Sequence, residues 1–410
     1  MSEKFIIANN YCREVFDGTH DTPKPSDHGY KLVTSKNIIG NKLDLNSAYL
    51  ISQEDYLAIN KRSKVSQFDV LFSMIGSVGN VYIEQRKNEE IDYSIKNIGV
   101  FSSKTEKEAY WLYYYLQSPY AQSFIKKFLN GAVQKFLPLQ TLRAFPILSP
   151  VENYESLISI LKNIDQKITL NNQINEELEA MAKTLYDYWF VQFDFPDQNG
   201  KPYKSSGGKM VYNPELKREI PERWGVEKLG DISQYVSEKV GSSELNKENY
   251  VGTDNMIADM GGIELTTSIP KSGTSTKFSV GDILISNIRP YFKKIWLSDR
   301  TGGCSADVLC IRTNRIIYKE FVYATLARDD FFNYDVAGSK GSKMPRGDKK
   351  HIMEYPIVFE FEIADQFSKI VRPIYEAVHK NYNQNQELTQ LRDWLLPMLM
   401  NGQARVEDKT

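Results

Sequence analysis

The chain has 410 residues, 41% of them hydrophobic and 25% charged, with a formal net charge of -1. This composition favours packed cores in two or three domains and excludes a uniformly basic nucleic-acid coat, so charge must be examined region by region. There is no run of 18 apolar residues and no apolar leader segment, and Cys12, Cys304 and Cys310 lack C-x-x-C spacing. We therefore expect a cytoplasmic chain without disulfides and without a membrane span.

Residues 1–152 are predicted to form a first α+β domain. Short apolar runs at residues 70–72 and 81–83 are separated by turn-forming residues, which indicates strands joined in hairpins. Helical spacing covers residues 107–129 and is interrupted by Pro119. A proline there predicts two consecutive helices.

A coiled-coil helix is predicted next, because apolar residues recur on a strict seven-residue repeat. Its apolar positions are Leu157, Leu161, Ile164, Ile168, Leu178, Ala182, Leu185 and Trp189, and its two polar positions are Asn171 and Asn175. Adding 210 to each number gives a second run: Phe367, Val371, Ile374, Val378, Asn381, Asn385, Leu388, Arg392, Leu395 and Leu399. Both Asn positions recur, so the chain is predicted to contain two copies of one unit, each a globular part followed by a long helix.

The segment between the copies, residues 192–220, is rich in turn formers and is predicted to be a linker with one hairpin. A second α+β domain is expected over residues 221–362. It contains strand-like runs at residues 282–285 and 294–297, followed by one helical stretch at residues 319–333. The order of elements matches the first domain.

Two spacer helices follow from this division, a central one at residues 153–191 and a C-terminal one at residues 363–402. Three arrangements are open: self-association between chains, pairing of the two helices within one chain, and two unrelated core helices. Antiparallel pairing within the chain is favoured, because facing residue numbers that sum to 556 place Asn171 opposite Asn385 and Asn175 opposite Asn381. Asn layers fix the register of a coiled coil at some cost in stability.

Antiparallel pairing also places Ile164 opposite Arg392. The ten repeat positions span a rod of roughly 48 Å at about 1.5 Å per residue. This length is somewhat more than one turn of B-DNA, about 34 Å. Pro373 and Pro397 predict a kink and an early stop in the second helix.

Sequence similarity between the halves extends beyond the helices. The sequence FDVLFS at residues 68–73 parallels GDILIS at residues 281–286, whereas the segments around these runs differ. The predicted fold class is therefore α+β: two tandem domains, each followed by a long helix, with the two helices paired as an antiparallel coiled coil. A duplicated scaffold with divergent surfaces suggests one task performed on two targets.

No catalytic motif is present: the sequence lacks G-x-x-x-x-G-K-[ST], G-x-S-x-G and H-E-x-x-H patterns. His20 beside Asp21 and His28 beside Asp27 lie in a proline-containing loop and are predicted to be turn formers rather than metal ligands. We therefore expect no catalytic residues and no metal site in this chain.

Basic loops recur at matching places in the two halves. Cations, hydroxyl groups and glycines of this kind suit close approach to phosphates and base edges, although such loops can also be simply solvated. The candidate DNA contacts in the second half are Asn287, Arg289, Lys293, Lys340, Ser342, Lys343 and Arg346, and those at the corresponding place in the first half are Asn130, Gln134 and Lys135.

The sequence resembles the specificity (S) subunits of type I restriction-modification enzymes, and the resemblance extends over essentially the whole chain. The similar stretches are DGTHDTP at 17–23, YKLVTSKNI at 30–38, IDQKI at 164–168, NNQIN at 171–175, LYDYWF at 185–190, FDFP at 193–196 and IPERWGVEKLGDI at 220–232. Thr19, His20, Lys24 and Lys36, which lie in or next to the first two of these stretches, are further candidate DNA contacts. No counterpart of the last stretch precedes the first domain, so its first strand is expected to be shortened or differently built.

The resemblance implies that each domain is a target-recognition domain that reads one half of a split double-stranded DNA sequence, and that the coiled coil sets the spacing. Two methyltransferase (M) subunits would dock on this chain, and restriction (R) subunits would add ATP-driven cleavage. The assembled complex would be an adenine-specific DNA methyltransferase and ATP-dependent endonuclease. S-adenosylmethionine, ATP and Mg²⁺ would bind the partners. The alternative is a coiled-coil tether that holds two protein-binding domains apart without binding DNA.

Overall fold

The computed structural model describes residues 5–129, 136–151, 154–315, 318–341 and 343–400, except for the side chain of Leu399. The chain divides into two compact units, which we call unit 1 (Met1–Thr169 with Asn385–Thr410) and unit 2 (Leu170–Gln384). The division falls inside both long helices, so each helix contributes to both units.

Unit 1 mixes short strands with helices, as predicted. Its strands are β1 (Phe5–Ile7), β2 (Glu14–Asp17), β3 (Tyr30–Thr34), β4 (Ile38–Ile39), β5 (Lys42–Leu43), β6 (Tyr49–Ile51), β7 (Val70–Ser73), β8 (Val81–Ile83), β9 (Tyr93–Lys96), β10 (Ile98–Ser102) and β11 (Pro146–Leu148). Its helices are α1 (Ala8–Tyr11), α2 (Gln53–Ser63), α3 (Glu106–Gln117), α4 (Pro119–Leu129), α5 (Leu139–Arg143) and the start of α6 (Tyr154–Tyr186). The division of the helical region at Pro119 is confirmed.

Unit 2 repeats much of this order. Its strands are β12 (Met210–Asn213), β13 (Arg218–Pro221), β14 (Gly225–Lys228), β15 (Ser233–Tyr235), β16 (Lys239–Gly241), β17 (Tyr250–Val251), β18 (Thr274–Phe278), β19 (Ile283–Ser286), β20 (Ile295–Leu297), β21 (Gly302–Cys304), β22 (Val308–Thr313) and β23 (Pro356–Phe359). Its helices are α7 (Leu229–Ile232), α8 (Lys319–Leu326), α9 (Asp329–Gly338), α10 (Lys349–Met353) and most of α11 (Phe361–Met400). A π-helical turn, Asp187–Val191, follows α6.

The helical stretch predicted at residues 319–333 is present, and it is divided into two helices, α8 and α9. The backbone breaks at Ala327 and Arg328, where Arg328 is extended and begins α9 as its N-cap. Asp329 and Asp330 then place two carboxylates in the first turn, where they favour a new helix start. This arrangement repeats the α3–α4 pair of unit 1.

One sheet is duplicated with the same topology. In unit 1 the strand order is β2-β10-β7-β8, and in unit 2 it is β15-β22-β19-β20, with every neighbouring pair antiparallel. The second sheets differ, because unit 1 has the three-stranded order β6-β3-β9 and unit 2 the four-stranded order β16-β18-β21-β17. Duplication is therefore evident in the first sheet, and divergence is concentrated in the second.

Strand β1 pairs with β11 antiparallel, with Phe5 opposite Leu148, in the way that β14 pairs with β23. The first strand therefore has the same position in unit 1. Whether it is shortened stays a prediction, because residues 1–4 lie outside the described residues.

Aromatic side chains form the core of each unit. In unit 1 the indole of Trp111 on α3 donates to the Leu148 carbonyl at 2.7 Å, and the Tyr115 hydroxyl donates to the Pro146 carbonyl at 2.6 Å. In unit 2 the ring of Phe190 lies 4.7 Å from that of Phe321 and 5.3 Å from that of Phe367. In unit 1 these bonds join α3 to β11, and in unit 2 the ring contacts join the turn that ends α6 to α8 and α11.

The paired long helices are antiparallel, as unit 2 shows on its own. Asn171 donates to the Gln384 side chain at 2.8 Å near one end of this segment, and the rings of Trp189 and Phe367 are 6.1 Å apart at the other. Between them, Asn381 donates to the Oδ1 atom of Asn175 at 2.8 Å. The pairing of Asn171 with Asn385, which is itself buried, stays a prediction.

In unit 1 the charge of Arg392, which occupies a position of the seven-residue repeat, is neutralised by a carboxylate. Its guanidinium donates to Asp165 at 3.0 Å, and the second oxygen of Asp165 accepts from the Tyr114 hydroxyl at 2.9 Å. This network explains how a cation is tolerated in a position that otherwise holds apolar residues.

The predicted early stop in the second helix is wrong, because α11 continues through Pro373 and Pro397 to Met400. An internal proline removes one helical hydrogen bond, at a cost of about 3 kcal/mol. Burial on both sides offsets this cost: Phe367 and Val371 are fully buried near Pro373, and Leu396 and Met400 are buried beside Pro397.

All three cysteines are buried free thiols. In the part of the chain that the structure describes, no helix has the length and apolar character needed to cross a membrane.

Candidate nucleic-acid interface

The two duplicated sheets end in equivalent turns. In unit 1 the β7–β8 turn touches the segment before α5, where Ile75 forms a bridge with Phe136 and the Met74 carbonyl accepts from the Leu137 N–H at 3.0 Å. The turn that follows β7 therefore lies beside the segment that leads into α5.

Unit 2 has the equivalent contacts at the β19–β20 turn, before α10. Ile288 forms a bridge with Arg346, and the Asn287 carbonyl accepts from the Gly347 N–H at 3.3 Å. The Arg289 N–H also donates to the Pro345 carbonyl at 2.9 Å. Candidate residues from residues 287–293 and from residues 338–350 therefore form one surface.

The basic loop of unit 2 is closed by its own backbone. Lys340 and Arg346 exchange two backbone hydrogen bonds of 2.9 Å each. Their side chains stay at the surface: that of Lys340 is 80% exposed and that of Arg346 is 57% exposed, and Lys343 between them is also exposed. The two bonds hold Lys340 and Arg346 side by side, and with Lys343 they give the loop three exposed cations.

Two of these cations have acidic neighbours. Arg346 is 3.1 Å from a carboxylate oxygen of Asp307, and Lys340 contacts Asp348. The hydrogen bond from Lys340, with the N–H groups of Lys350 and His351, lowers the pKa of Asp348 to about 2. Ion pairs as exposed as these are weak, so a phosphate can replace the carboxylates.

Asn287 is buried and Lys293 forms an ion pair within the protein, so both side chains are less accessible to DNA than the sequence suggested. The Asn287 side chain is 8% exposed, and its Oδ1 has no hydrogen-bond partner among the described residues. Lys293 is 2.6 Å from the Asp329 carboxylate, which raises the pKa of its ammonium group. Lys293 therefore fastens the turn to α9.

A buried carboxylate lies beneath the loop. Asp335 on α9 is fully buried, and neither of its oxygens has a partner within the described ranges. Burial raises its pKa to about 6, and the nearby His351 acts in the opposite direction. A Cβ atom on Gly347 would lie 2.3 Å from Asp335 Oδ1 and 2.9 Å from Asn287 Oδ1, so only glycine fits at this position.

In unit 1 the structure brings Thr19 and His20 together with the end of β9. Thr19 forms a bridge with Lys96, and its N–H donates to the Ile95 carbonyl at 3.0 Å. The His20 ring is 2.8 Å from Asn97 Oδ1 through Nδ1 and 3.0 Å from Asp17 through Nε2. His20 thus bonds outside its own loop, and not to Asp21.

Lys24 and Lys36 are both exposed, and Lys36 lies near the same surface because its neighbour Ser35 donates to the Asn97 carbonyl at 2.9 Å. The sequence reasoning missed two further cations here. The Lys96 ammonium contacts the Thr22 hydroxyl, and Arg62 on α2 lies 3.6 Å from Asp17. Both come from elements distant in sequence, so no local pattern could have indicated them.

Asn130, Gln134, Lys135 and Ser342 lie outside the described residues. The parts that the structure does describe contain no group of three or more His, Cys, Asp or Glu side chains arranged to hold a metal ion.

Comparison with known proteins adds the identity of the fold. Residues 13–180 match the family described as type I restriction modification DNA specificity domain. The chain is 26% identical over 318 residues to the type I restriction enzyme MjaIX specificity subunit of Methanocaldococcus jannaschii, covering 73% of this chain and 69% of that protein. It is 23% identical over 312 residues to the HindI specificity subunit of Haemophilus influenzae, covering 62% and 67%.

The crystal structure of a type I restriction-modification S subunit from M. genitalium has the same fold, with a TM-score of 0.52, 13% identity and coverage of 97% of both chains. The family match supports DNA recognition and does not support the alternative of a tether without DNA binding. The chain is therefore similar, over most of its length, to specificity subunits of the type I restriction-modification class.

Proposed function

We propose that this non-catalytic chain reads a bipartite double-stranded DNA target, with the surface of unit 1 reading one half and that of unit 2 reading the other. The observation that carries this proposal is the pair of equivalent turns, Ile75 beside Phe136 and Ile288 beside Arg346. One backbone arrangement is built twice with different side chains. This is what two different half-sites require, because base edges are distinguished by side-chain chemistry.

The charge distribution supports DNA rather than protein as the ligand of these surfaces. Lys340, Lys343 and Arg346 are exposed together in unit 2, and Thr19, His20 and Lys36 accompany Lys96 in unit 1. We assign phosphate contacts to Lys340 and Lys343 and a base contact to Arg346, since arginine can bind guanine through two hydrogen bonds. Asn130, Gln134 and Lys135 are proposed to contact the first half-site.

We further propose that the long helices set the spacing between the half-sites. α6 has 33 residues and α11 has 40, and both are continuous. A pair of continuous helices resists compression, and Asn layers such as Asn175–Asn381 disfavour a slipped register. Inserting one heptad at matching places in both helices should lengthen the gap in the recognised sequence, and an unchanged gap would reject this part of the proposal.

The partners are proposed from the family. Two methyltransferase subunits dock on this chain, restriction subunits join them, and S-adenosylmethionine, ATP and Mg²⁺ act on those partners. The resulting activities, adenine methylation and ATP-dependent cleavage, belong to the complex. The cytoplasmic location also stays a prediction.

Long-read methylation mapping tests the proposal. Host DNA is compared between cells that express this chain alone, its methyltransferase alone, and both together. We expect a split methylated motif only when both are present. Absence of that motif with a methyltransferase that is active with another specificity subunit would reject DNA recognition by this chain.

A further inference from the structure

The β19–β20 turn exposes two aromatic rings beside the basic loop. We call residues 289–293 the aromatic turn; its centre is a single 3-10 turn, Pro290–Phe292. Tyr291 is 48% exposed and Phe292 is 38% exposed, with their ring centroids 4.7 Å apart. Two adjacent, solvent-exposed aromatic side chains gain little from folding, so their presence calls for another cause.

The backbone of the aromatic turn is strained at two residues that are not glycine. Arg289 and Lys293, on either side of the 3-10 turn, both have the left-handed conformation, with φ of 57° and 51°. Each such residue costs on the order of 1 kcal/mol when it is not glycine. In the equivalent turn of unit 1 the left-handed residues are glycines, Gly76 and Gly79. Unit 2 therefore carries bulky cations at sites where glycine would relieve the strain.

Neighbouring segments hold the strained turn in one position. The Phe292 carbonyl accepts from the Asp259 N–H at 2.9 Å, and the Lys293 carbonyl accepts from the Met260 N–H at 2.8 Å. Pro290 is buried at the start of the turn. The rings therefore project from a fixed base, a condition for inserting them into a stacked ligand.

Cations lie close to the rings, although Lys293 is paired with Asp329 and the Lys294 ammonium donates to the Thr253 carbonyl at 2.7 Å. The Arg289 guanidinium lies 6.0 Å from the Phe292 ring centroid, and the Lys294 ammonium lies 5.9 Å from it. The Arg289 N–H is bonded to Pro345 in the basic loop. Charged residues are depleted at the centre of protein interfaces, whereas apolar wedges flanked by cations are typical of proteins that open a base step.

We propose that Tyr291 and Phe292 form a wedge that partly unstacks one base step at the edge of the second half-site, while Arg289 and Lys294 hold the flanking phosphates. This inference rests on the proposed function and adds a mode of recognition to it. The specificity it provides comes from the ease with which a base step opens, since pyrimidine–purine steps unstack more readily than others.

The test uses the full chain assembled with its methyltransferase subunits and a duplex that contains the mapped motif. 2-Aminopurine, a base whose fluorescence increases on unstacking, replaces one base at a time around the second half-site, and the methylated adenine is left unchanged. The double variant Tyr291→Ala/Phe292→Ala removes the wedge. Tyr291→Phe keeps the ring, and Tyr212→Ala removes a 64% exposed tyrosine of the same unit on β12.

The wild-type complex should increase the fluorescence at one position severalfold, and the double variant should abolish this increase and weaken binding about tenfold or more. Tyr291→Phe and Tyr212→Ala should behave as wild type. Thermal unfolding of the double variant should be unchanged, because both rings are exposed.

Three results would overturn the wedge. They are an unchanged fluorescence increase in the double variant, tight wild-type binding without an increase at any position, and loss of methyltransferase assembly with DNA contacts unaffected. In each of them the chain still binds its target, so the proposed function stands. Failure of the wild-type complex to bind the mapped motif would instead reject the proposed function.

Discussion

The turns at the ends of β7 and β19 share a framework and differ in their chemistry. Both follow a buried strand, and in both an isoleucine, Ile75 or Ile288, bridges to the segment before a short helix. Unit 1 makes the turn with left-handed glycines, whereas unit 2 uses Arg289 and Lys293. The strand and the isoleucine bridge are therefore the same in both units, whichever residues form the turn itself. Backbone strain occurs in unit 2, where charged residues occupy the left-handed positions that favour glycine.

The layer beneath the two turns differs as well. Unit 1 buries Met74 and Leu137 there, and unit 2 has Asn287 and Gly347 at the same positions, beside the buried Asp335. An apolar layer has been replaced by one that contains polar oxygens without partners among the described residues. The unit 2 turn thus lowers the stability of the fold in two ways, through its strained backbone and through the polar layer beneath it. A functional requirement explains both features.

The largest expected effect follows from removing the exposed cations of unit 2. Replacing Lys340, Lys343 and Arg346 by alanine should weaken specific DNA binding by roughly two to three orders of magnitude, because two phosphate contacts and one base contact are lost. The salt dependence of binding should become less steep by about two phosphate contacts. Binding isotherms at several salt concentrations measure both quantities.

The control for general loss of charge is Lys217→Ala, on the exposed β12–β13 turn. It should change neither the affinity nor the salt dependence. Equal weakening by this variant would mean that the loop contributes only its net charge.

The next effect concerns Asp335, whose pKa burial raises from its usual 3.8 to about 6. The folded state therefore holds this proton to higher pH than the unfolded state does, which favours folding below about pH 4 and is lost as the pH rises through 6. Asp335→Asn keeps the uncharged form at all pH values. Relative to wild type it should stabilise the chain at pH 8 by up to about 3 kcal/mol.

Denaturant unfolding at pH 4, 6 and 8 measures this difference. The two proteins should be equally stable at pH 4 and should diverge as the pH rises. A constant difference at all three values would show that ionisation of Asp335 does not control it.

A smaller effect is expected from placing the unit 2 residue in the unit 1 turn. Gly76 has φ of 74°, and a Cβ there would have no described atom within 4 Å, so Gly76→Arg introduces backbone strain without a collision. It should destabilise the chain by about 1–2 kcal/mol. The melting temperature in a thermal scan measures this loss of stability. An unchanged melting temperature would indicate that the turn relaxes to another conformation.

The reverse exchange should give the smallest effect on stability. Arg289→Gly relieves the strain at φ of 57° and should stabilise the chain by about 1 kcal/mol or less, while weakening DNA binding. Stability and affinity would then change in opposite directions. Tighter binding together with higher stability would contradict a functional role for Arg289.

The sequence predicted the duplicated framework well, because it depends on local patterns. The seven-residue repeat indicated both long helices, and FDVLFS with GDILIS indicated the equivalent strands β7 and β19. The continuation of α11 through Pro397 was not predictable, since it depends on burial of Leu396 and Met400 within unit 1.

The sites were predictable only in part. The basic character of residues 338–350 is visible in the sequence, whereas the contact of Ile288 with Arg346 joins two segments far apart in the chain. Lys96 and Arg62 come near Thr22 and Asp17 through the sheet and through α2, and no spacing rule connects them. The burial of Asn287 over Asp335 likewise depends on tertiary packing.

The central claim is that each turn surface reads its own half of the target. Methylation mapping of cells that express the methyltransferase with either the wild-type chain or Arg346→Ala tests it most directly. We expect the variant to keep the first half-site and the spacer, and to relax one position of the second half-site. An unchanged motif, or relaxation that falls equally on both half-sites, would contradict the account.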